Sequence, residues 1–213
     1  VPTMDPTPAG SGWKRPRQVV LLSGSGRSKR FSTSYYLARH LAEGMAGAHP
    51  APHIRVIHLR DLDFSECSGC FRCWRNGGTC VLDDDYTSVI APALETSDLL
   101  VLSFPLYFYN FPPQINHVIT RMFANLQPTY HWDRQARGIV HDHRSRMPGS
   151  IFLMGTGGLL DTDQFQVPVI QASMLARRHA MRYAGHLFRS TGHSLLIPAA
   201  RSALADEIDA SLL

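Results

Sequence analysis

The hydrophobic and polar positions of this chain alternate between blocks of strand-like and helix-like period. Gln18–Ser23 is an apolar run closed by a Gly/Ser cluster, which predicts a buried strand of a parallel sheet. Ser23-Gly24-Ser25-Gly26-Arg27-Ser28 follows. Tyr35, Leu37, Ala38, Leu41, Ala42 and Met45 then recur at three- and four-residue steps, predicting a helix with its N-cap among Ser32, Thr33 and Ser34. Residues 53–59 alternate around a β-branched centre and predict a second strand. Asp83-Asp84-Asp85 opens a helix reaching about Ser97, where acids complement its positive end. Leu99 to Phe104 is an apolar run and predicts a third strand buried on both faces. A helix is expected from about Pro113 to Leu126, with the proline in its first turn. Residues 127–149 show no clean period and predict a long connection, functional or interfacial. Ile151 to Met154 predicts a fourth strand, roughly 167–190 a long helix stopping near Gly192, 194–197 a fifth strand and 202–213 a last helix.

Strand and helix in alternation predict an α/β fold. The expected architecture is a doubly wound five-stranded parallel sheet, order 2-1-3-4-5, with helices on both faces and right-handed crossovers. Such sheets bind ligands beyond the carboxyl ends of their strands, at the switch point. Three strand ends carry special loops: Ser23–Ser28, Pro105–Pro112 and Gly155–Gly158. In that order their strands are neighbours, so the loops converge on one pocket.

Composition narrows the class. The 213 residues are 44% hydrophobic and 18% charged, which suits one soluble domain with a full core. Residues 1–17 combine prolines with three basic residues and lack an apolar h-region, so they read as a mobile tail rather than a secretory signal, with Met4 a candidate start. No apolar run approaches the ~20 residues of a membrane helix. The formal charge of +4 suits anionic ligands, and no basic stripe is interleaved with aromatics, so neither membrane nor nucleic acid is an expected partner. All four cysteines lie between Cys67 and Cys80, a cluster that favours a reducing cytoplasm and metal or redox use over stapling disulfides.

A strand, a glycine-and-hydroxyl loop and a helix N-terminus make an anion site. The G-x-x-x-x-G-K-[ST] and G-x-G-x-x-G spacings are both absent, and a Ser/Thr-rich loop suits a terminal monophosphate; an ordinary turn of small residues is the competing reading. Arg27 adds a charged donor. Tyr107, Phe108 and Tyr109 offer aromatic planes, and Gly155, Gly157 and Gly158 allow close approach of a flat ligand. A phosphorylated planar cofactor fits this set, and FMN is the simplest.

These residues resemble the flavodoxin-like NAD(P)H-dependent FMN reductases, in the branch related to iron–sulfur flavoproteins. The matches are Ser23-Gly24-Ser25-Gly26-Arg27 with Ser32-Thr33, Cys67-x-x-Cys70-Phe-x-Cys73-Trp with Cys80 and Asp83-Asp84-Asp85, and Pro105-Leu106-Tyr107-Phe108, over about residues 18–200. The resemblance implies a flavodoxin-like fold, bound FMN, NAD(P)H as co-substrate, and a homodimer or homotetramer that completes the flavin site. It implies phosphate contacts from Ser25, Arg27, Ser32, Thr33 and Ser34, with Ser23 at the loop's root. Pro105, Leu106, Tyr107, Phe108, Tyr109 and Asn110 would line the ring, and Gly155, Thr156, Gly157 and Gly158 its pyrimidine end. Gly26 departs from the family's usual proline, and Asn116 and Thr120 depart from its next motif, where only Arg121 is kept. No side chain is singled out as an acid or base.

The cysteine spacing is C-x2-C-x2-C-x6-C. Close thiolates on one loop suit an iron–sulfur cluster; four thiolates also satisfy zinc; a reduced, metal-free loop is the third reading. The resemblance implies a [4Fe–4S] cluster passing electrons to FMN. His131, His141 and His143 read as solvated surface, as do Arg177 and Arg178 and the acids Asp206, Glu207 and Asp209. The functional expectation is an FMN-dependent oxidoreductase taking electrons from NAD(P)H to a quinone, flavin, other small acceptor or redox partner protein. A non-enzymatic FMN/iron–sulfur electron carrier and a zinc-stapled binding module are the alternatives.

Overall fold

The computed structural model describes residues 14–197. Residues 1–13 of the expected tail over 1–17, and the expected helix over 202–213, lie outside them. Five parallel strands form one sheet: β1 (Gln18–Ser23), β2 (His53–His58), β3 (Leu99–Pro105), β6 (Ser150–Thr156) and β7 (Arg182–Arg189), in the order β2-β1-β3-β6-β7. This is the expected doubly wound order, with a hairpin inserted in the chain. Val19 to Ser23 of β1 are paired on both sides: Leu21 lies opposite Val56 on one side and Val101 on the other. Val19 and Leu21 point to one face and Val20 and Leu22 to the other, and helices cover both, which is why the centre of the run is apolar.

The helices divide between the faces. α1 (Thr33–Ala46) covers one face, where Leu37 and Ala38 pack on Val19, Leu21 and Val101. α3 (Ala91–Thr96), α4 (Pro113–Arg121) and α5 (Gln166–Arg178) cover the other, around Leu22, Leu102, Phe104 and Leu153. Ser32 caps α1, its Oγ accepting from the Tyr35 N–H at 3.0 Å. A single-turn helix, α2 (Arg72–Arg75), lies in the cysteine loop.

Three expectations are corrected. Residues 127–149 are not an irregular connection: β4 (Leu126–Asp133) and β5 (Gly138–His143) pair antiparallel as a hairpin. The aperiodic pattern arises because Tyr130, Trp132 and Ile139 are exposed, so no buried stripe marks the strands. The long helix ends at Arg178, not near Ser190. The left-handed residue after it is Ala180, at φ +52°, not the expected Gly192. The fifth strand is Arg182–Arg189; residues 192–196 form a 3-10 turn.

Candidate functional site

The three loops at the carboxyl ends of β1, β3 and β6 meet. Leu106 donates its N–H to the Thr156 carbonyl at 2.8 Å, and the Thr33 and Thr156 hydroxyls lie 3.4 Å apart. A side chain on Gly26 would stand 3.8 Å from the Tyr107 hydroxyl, so the first loop lies against the second.

In the first loop, Gly24 donates to the Ser103 carbonyl at 2.8 Å and runs under Ile115 of α4, too close for any Cβ. Ser25 is buried, and its Oγ accepts from the Arg27 N–H at 3.1 Å. Its own proton is directed at no protein acceptor among the described residues. Ser32 and Ser34 are buried with their hydroxyls 3.2 Å apart, and Ser34 is tied by its carbonyl to the Ser103 hydroxyl at 2.7 Å. Arg27 is exposed and in no ion pair among the described residues. Ser23 differs from its neighbours. It is fully buried, and its Oγ is 3.1 Å from Nδ1 of His58, at the end of β2. His58 Nε2 lies 2.9 Å from the Arg27 carbonyl. Burial pushes this imidazole below its usual pKa, against the opposing pull of the Arg27 carbonyl and Asp61. His58 was invisible to sequence reading as a site residue; the one hint was a polar residue ending an otherwise buried strand half.

The second loop is a tight turn. Tyr107 and Asn110 exchange two backbone hydrogen bonds, at 3.0 and 2.9 Å. Between them Phe108 and Tyr109 sit at φ +46° and +65°, a type I′ geometry that favours Asn and Gly. Phe108 is 99% exposed. Asn110 Oδ1 accepts from Phe111 N–H at 2.8 Å, and Asn116 Nδ2 donates to the Phe111 carbonyl at 3.0 Å, so Asn116 fastens the turn to α4. Gln114, two residues earlier, turns its Nε2 toward Gly26 and has a buried Oε1 with no hydrogen-bond partner. A ligand N–H or O–H, rather than a phosphate oxygen, would satisfy this acceptor.

In the third loop a Cβ on Gly155 would meet Phe188 at 2.9 Å and Phe165 at 3.0 Å, and one on Gly157 would meet Gln164 and Phe165. Both glycines are therefore required by internal packing. Gly158 is open and exposed. The donor set of loop one, the aromatic turn and the orphaned Gln114 oxygen together suit a phosphorylated ring system.

Residues 17–146, more than half of the chain, match the flavodoxin-like fold family. The chain belongs to that family. It is 30% identical over 103 residues to the iron-sulfur flavoprotein of Archaeoglobus fulgidus, with 48% of each chain covered. The flavodoxin-like chain thus spans about half the length of this curated relative. It is similar to the solved FMN-dependent NADH-azoreductase from Bacillus anthracis in complex with FMN, at 12% identity and TM-score 0.59, over 92% of this chain and 97% of that one. A second similar structure is Smu.1420 from Streptococcus mutans, at 12% identity and TM-score 0.60, over 89% and 95%. At that identity the likeness is one of fold.

The cysteine loop of this flavodoxin-like chain lies against α4. Cys67, Cys70, Cys73 and Cys80 are free thiols and line one small cavity with Phe71, Phe123 and Arg121. Backbone and side-chain hydrogen bonds from Arg72 lower the Cys70 thiol to about 7, while burial, with Cys80 beside it, raises Cys73. Trp74 stacks on Phe123 at 5.0 Å and Phe71 meets both rings edge-on. The donor chemistry suits a thiophilic metal or cluster, but among the described residues no three His, Cys, Asp or Glu groups stand where they would share an ion.

Arg121 closes this region. It is 1% exposed and bidentate to Asp84 at 2.7 and 2.9 Å, and it also bonds the Ser65 carbonyl at 2.9 Å and stands 4.6 Å over the Tyr86 ring. Asp84 was expected to complement the start of a helix; its Oδ1 does accept from the Tyr86 N–H at 3.2 Å, and the same carboxylate also anchors a buried cation. The solvated reading of His143 is also corrected: it is half-buried and shares a 3.0 Å hydrogen bond with His179, the residue that follows α5. His131 is exposed beside Asp142, as expected of surface.

Proposed function

We propose that this chain is an FMN-dependent oxidoreductase that draws electrons from NAD(P)H and delivers them to a quinone, flavin or other small acceptor. The observation that carries this reading is the convergence of three loops at the switch point: buried hydroxyls, a strained aromatic turn and an open glycine on one rim. The FMN named in the azoreductase structure and the flavin of the Archaeoglobus relative support it. Bound FMN would supply hydride acceptance and onward electron transfer. The chain's own residues bind and orient. Ser25, Arg27, Thr33 and the first amides of α1 hold the phosphate, and the Tyr107–Asn110 turn fixes the ring plane. Phe108 shields one side from water, and Gly158 leaves room at the far rim. No side chain here is required as an acid or base. Tyr130, Trp132 and Ile139 share one exposed hairpin face, which supports assembly into a homodimer or homotetramer.

The test is FMN binding by flavin fluorescence in a Ser25→Ala/Thr33→Ala double variant. The reading expects a loss of about tenfold or more in affinity; an unchanged Kd refutes the phosphate assignment. Four thiols around one cavity and the iron-sulfur flavoprotein relative support a second reading, an FMN electron carrier whose cysteine loop would have to draw its thiols together to hold a metal. Steady NAD(P)H oxidation with a quinone acceptor supports the enzyme; intact FMN without turnover supports the carrier.

A further inference from the structure

We propose that His58 and Ser23 form a strut beneath the first loop that aims the Ser28 N–H at a phosphate, so that Ser23 shapes the site without touching the ligand. The proposal rests on the FMN reading above.

The hydrogen-bond chemistry allows one arrangement of a neutral imidazole. The Arg27 carbonyl, 2.9 Å from His58 Nε2, can only accept, so Nε2 carries the proton. Nδ1 is then an acceptor, and the Ser23 hydroxyl at 3.1 Å must donate to it. Ser23 is fully buried and its one proton is committed inward. The strut is held from outside by Tyr35, whose ring meets the imidazole edge-on at 5.0 Å, and Lys29 is occupied by Asp61 at 2.6 Å.

The consequence lies on the other edge of the same peptide. A trans peptide holds its C=O and N–H in opposite directions. With the Arg27 carbonyl drawn toward β2, the Ser28 N–H faces away from His58 and meets no acceptor among the described residues. The Arg27 N–H, by contrast, is taken by Ser25 Oγ. The anion donors left around the loop include the Ser28 amide, the Ser25 and Thr33 hydroxyls and the Arg27 guanidinium, beside the first amides of α1. His58 thus acts as a positioning residue through one peptide plane.

The experiment measures Kd for FMN and for riboflavin, which lacks the phosphate, by fluorescence titration of the whole chain. Their ratio is insensitive to the folded fraction, since both ligands sample the same protein. His58→Gln reaches the Nε2 position and keeps the bond to Arg27; His58→Asn reaches only the Nδ1 position and loses it. The expected result is that His58→Asn lowers the preference for FMN about tenfold while His58→Gln stays within about threefold of wild type. Ser23→Ala and His58→Ala are expected to be non-additive, the pair losing no more than the larger single variant. A wild-type preference in His58→Asn overturns the strut. So do additive losses, which would make Ser23 a direct phosphate ligand. A wild-type protein that binds riboflavin as tightly as FMN defeats the phosphate reading itself, and the strut with it.

Discussion

The turn that carries Phe108 and Tyr109 stores strain that a substitution can release. Both residues occupy the left-handed region, at φ +46° and +65°, where an L side chain costs roughly 1–2 kcal/mol. Phe108→Asn/Tyr109→Gly restores the sequence this turn geometry favours. Phe108 is 99% exposed and Tyr109 54%, so little packing is lost. Glycine adds freedom to the unfolded chain, offsetting about 0.4–1 kcal/mol of the gain. The net expectation is about 1.5 kcal/mol of added stability, which at a urea slope of about 2 kcal/mol/M moves the midpoint up by about 0.7 M. The same variant should bind FMN more weakly, because the ring loses its aromatic rim. Urea unfolding followed by tryptophan fluorescence, with FMN titrated in parallel, reads both. A midpoint that falls, with unchanged slope, refutes the strain argument.

Other expectations follow from the buried charges and close approaches. Asp84→Asn leaves Arg121 buried without its counter-charge and should cost about 3–5 kcal/mol in a denaturant melt. Burial raises the Asp84 carboxyl, but Arg121 and the Ser65 N–H pull it below its usual value of 3.8. Its stabilisation is therefore complete above that value and lost as pH falls further, an acid transition that the Asn variant should lack. Burial, with His143 and His141 nearby, lowers His179 to about 4 from 6.5. The unfolded chain then binds the proton first as pH drops, so stability is full above 6.5 and falls toward 4, by at most about 3 kcal/mol. His179→Leu should flatten the stability difference between pH 7 and pH 5. Gly24→Ala drives a methyl into Ile115 and should cost about 1–3 kcal/mol in thermal or urea unfolding.

The parallel core was legible because its strands are buried on both faces. Gln18–Ser23 and Leu99–Phe104 have no polar face to hide their period, and the capping serine of α1 sat beside a clear helical stripe. The edge and the hairpin were not. Arg182–Arg189 is half-exposed with a bulge at Gly185, φ +108°, so its period is broken. β4 and β5 expose large apolar residues, which removes the alternation that marks a strand. The three loops could be read as one site because strand order alone makes them neighbours. The roles of His58, Arg121 and the His143–His179 pair depend on contacts between residues 35, 37 and 36 positions apart, which no local pattern records.

The outer strand β7 also bears on how this protein behaves in concentrated solution. Among the described residues no strand pairs with its free edge, and open edges invite one chain to extend another's sheet. The bulge at Gly185 throws that edge out of register, and Arg182 and Arg189 place a positive charge at either end. A second copy approaching edge-on meets a kinked ladder and like charges. The same irregularity that hid this strand from the sequence guards the fold against fibrous self-association.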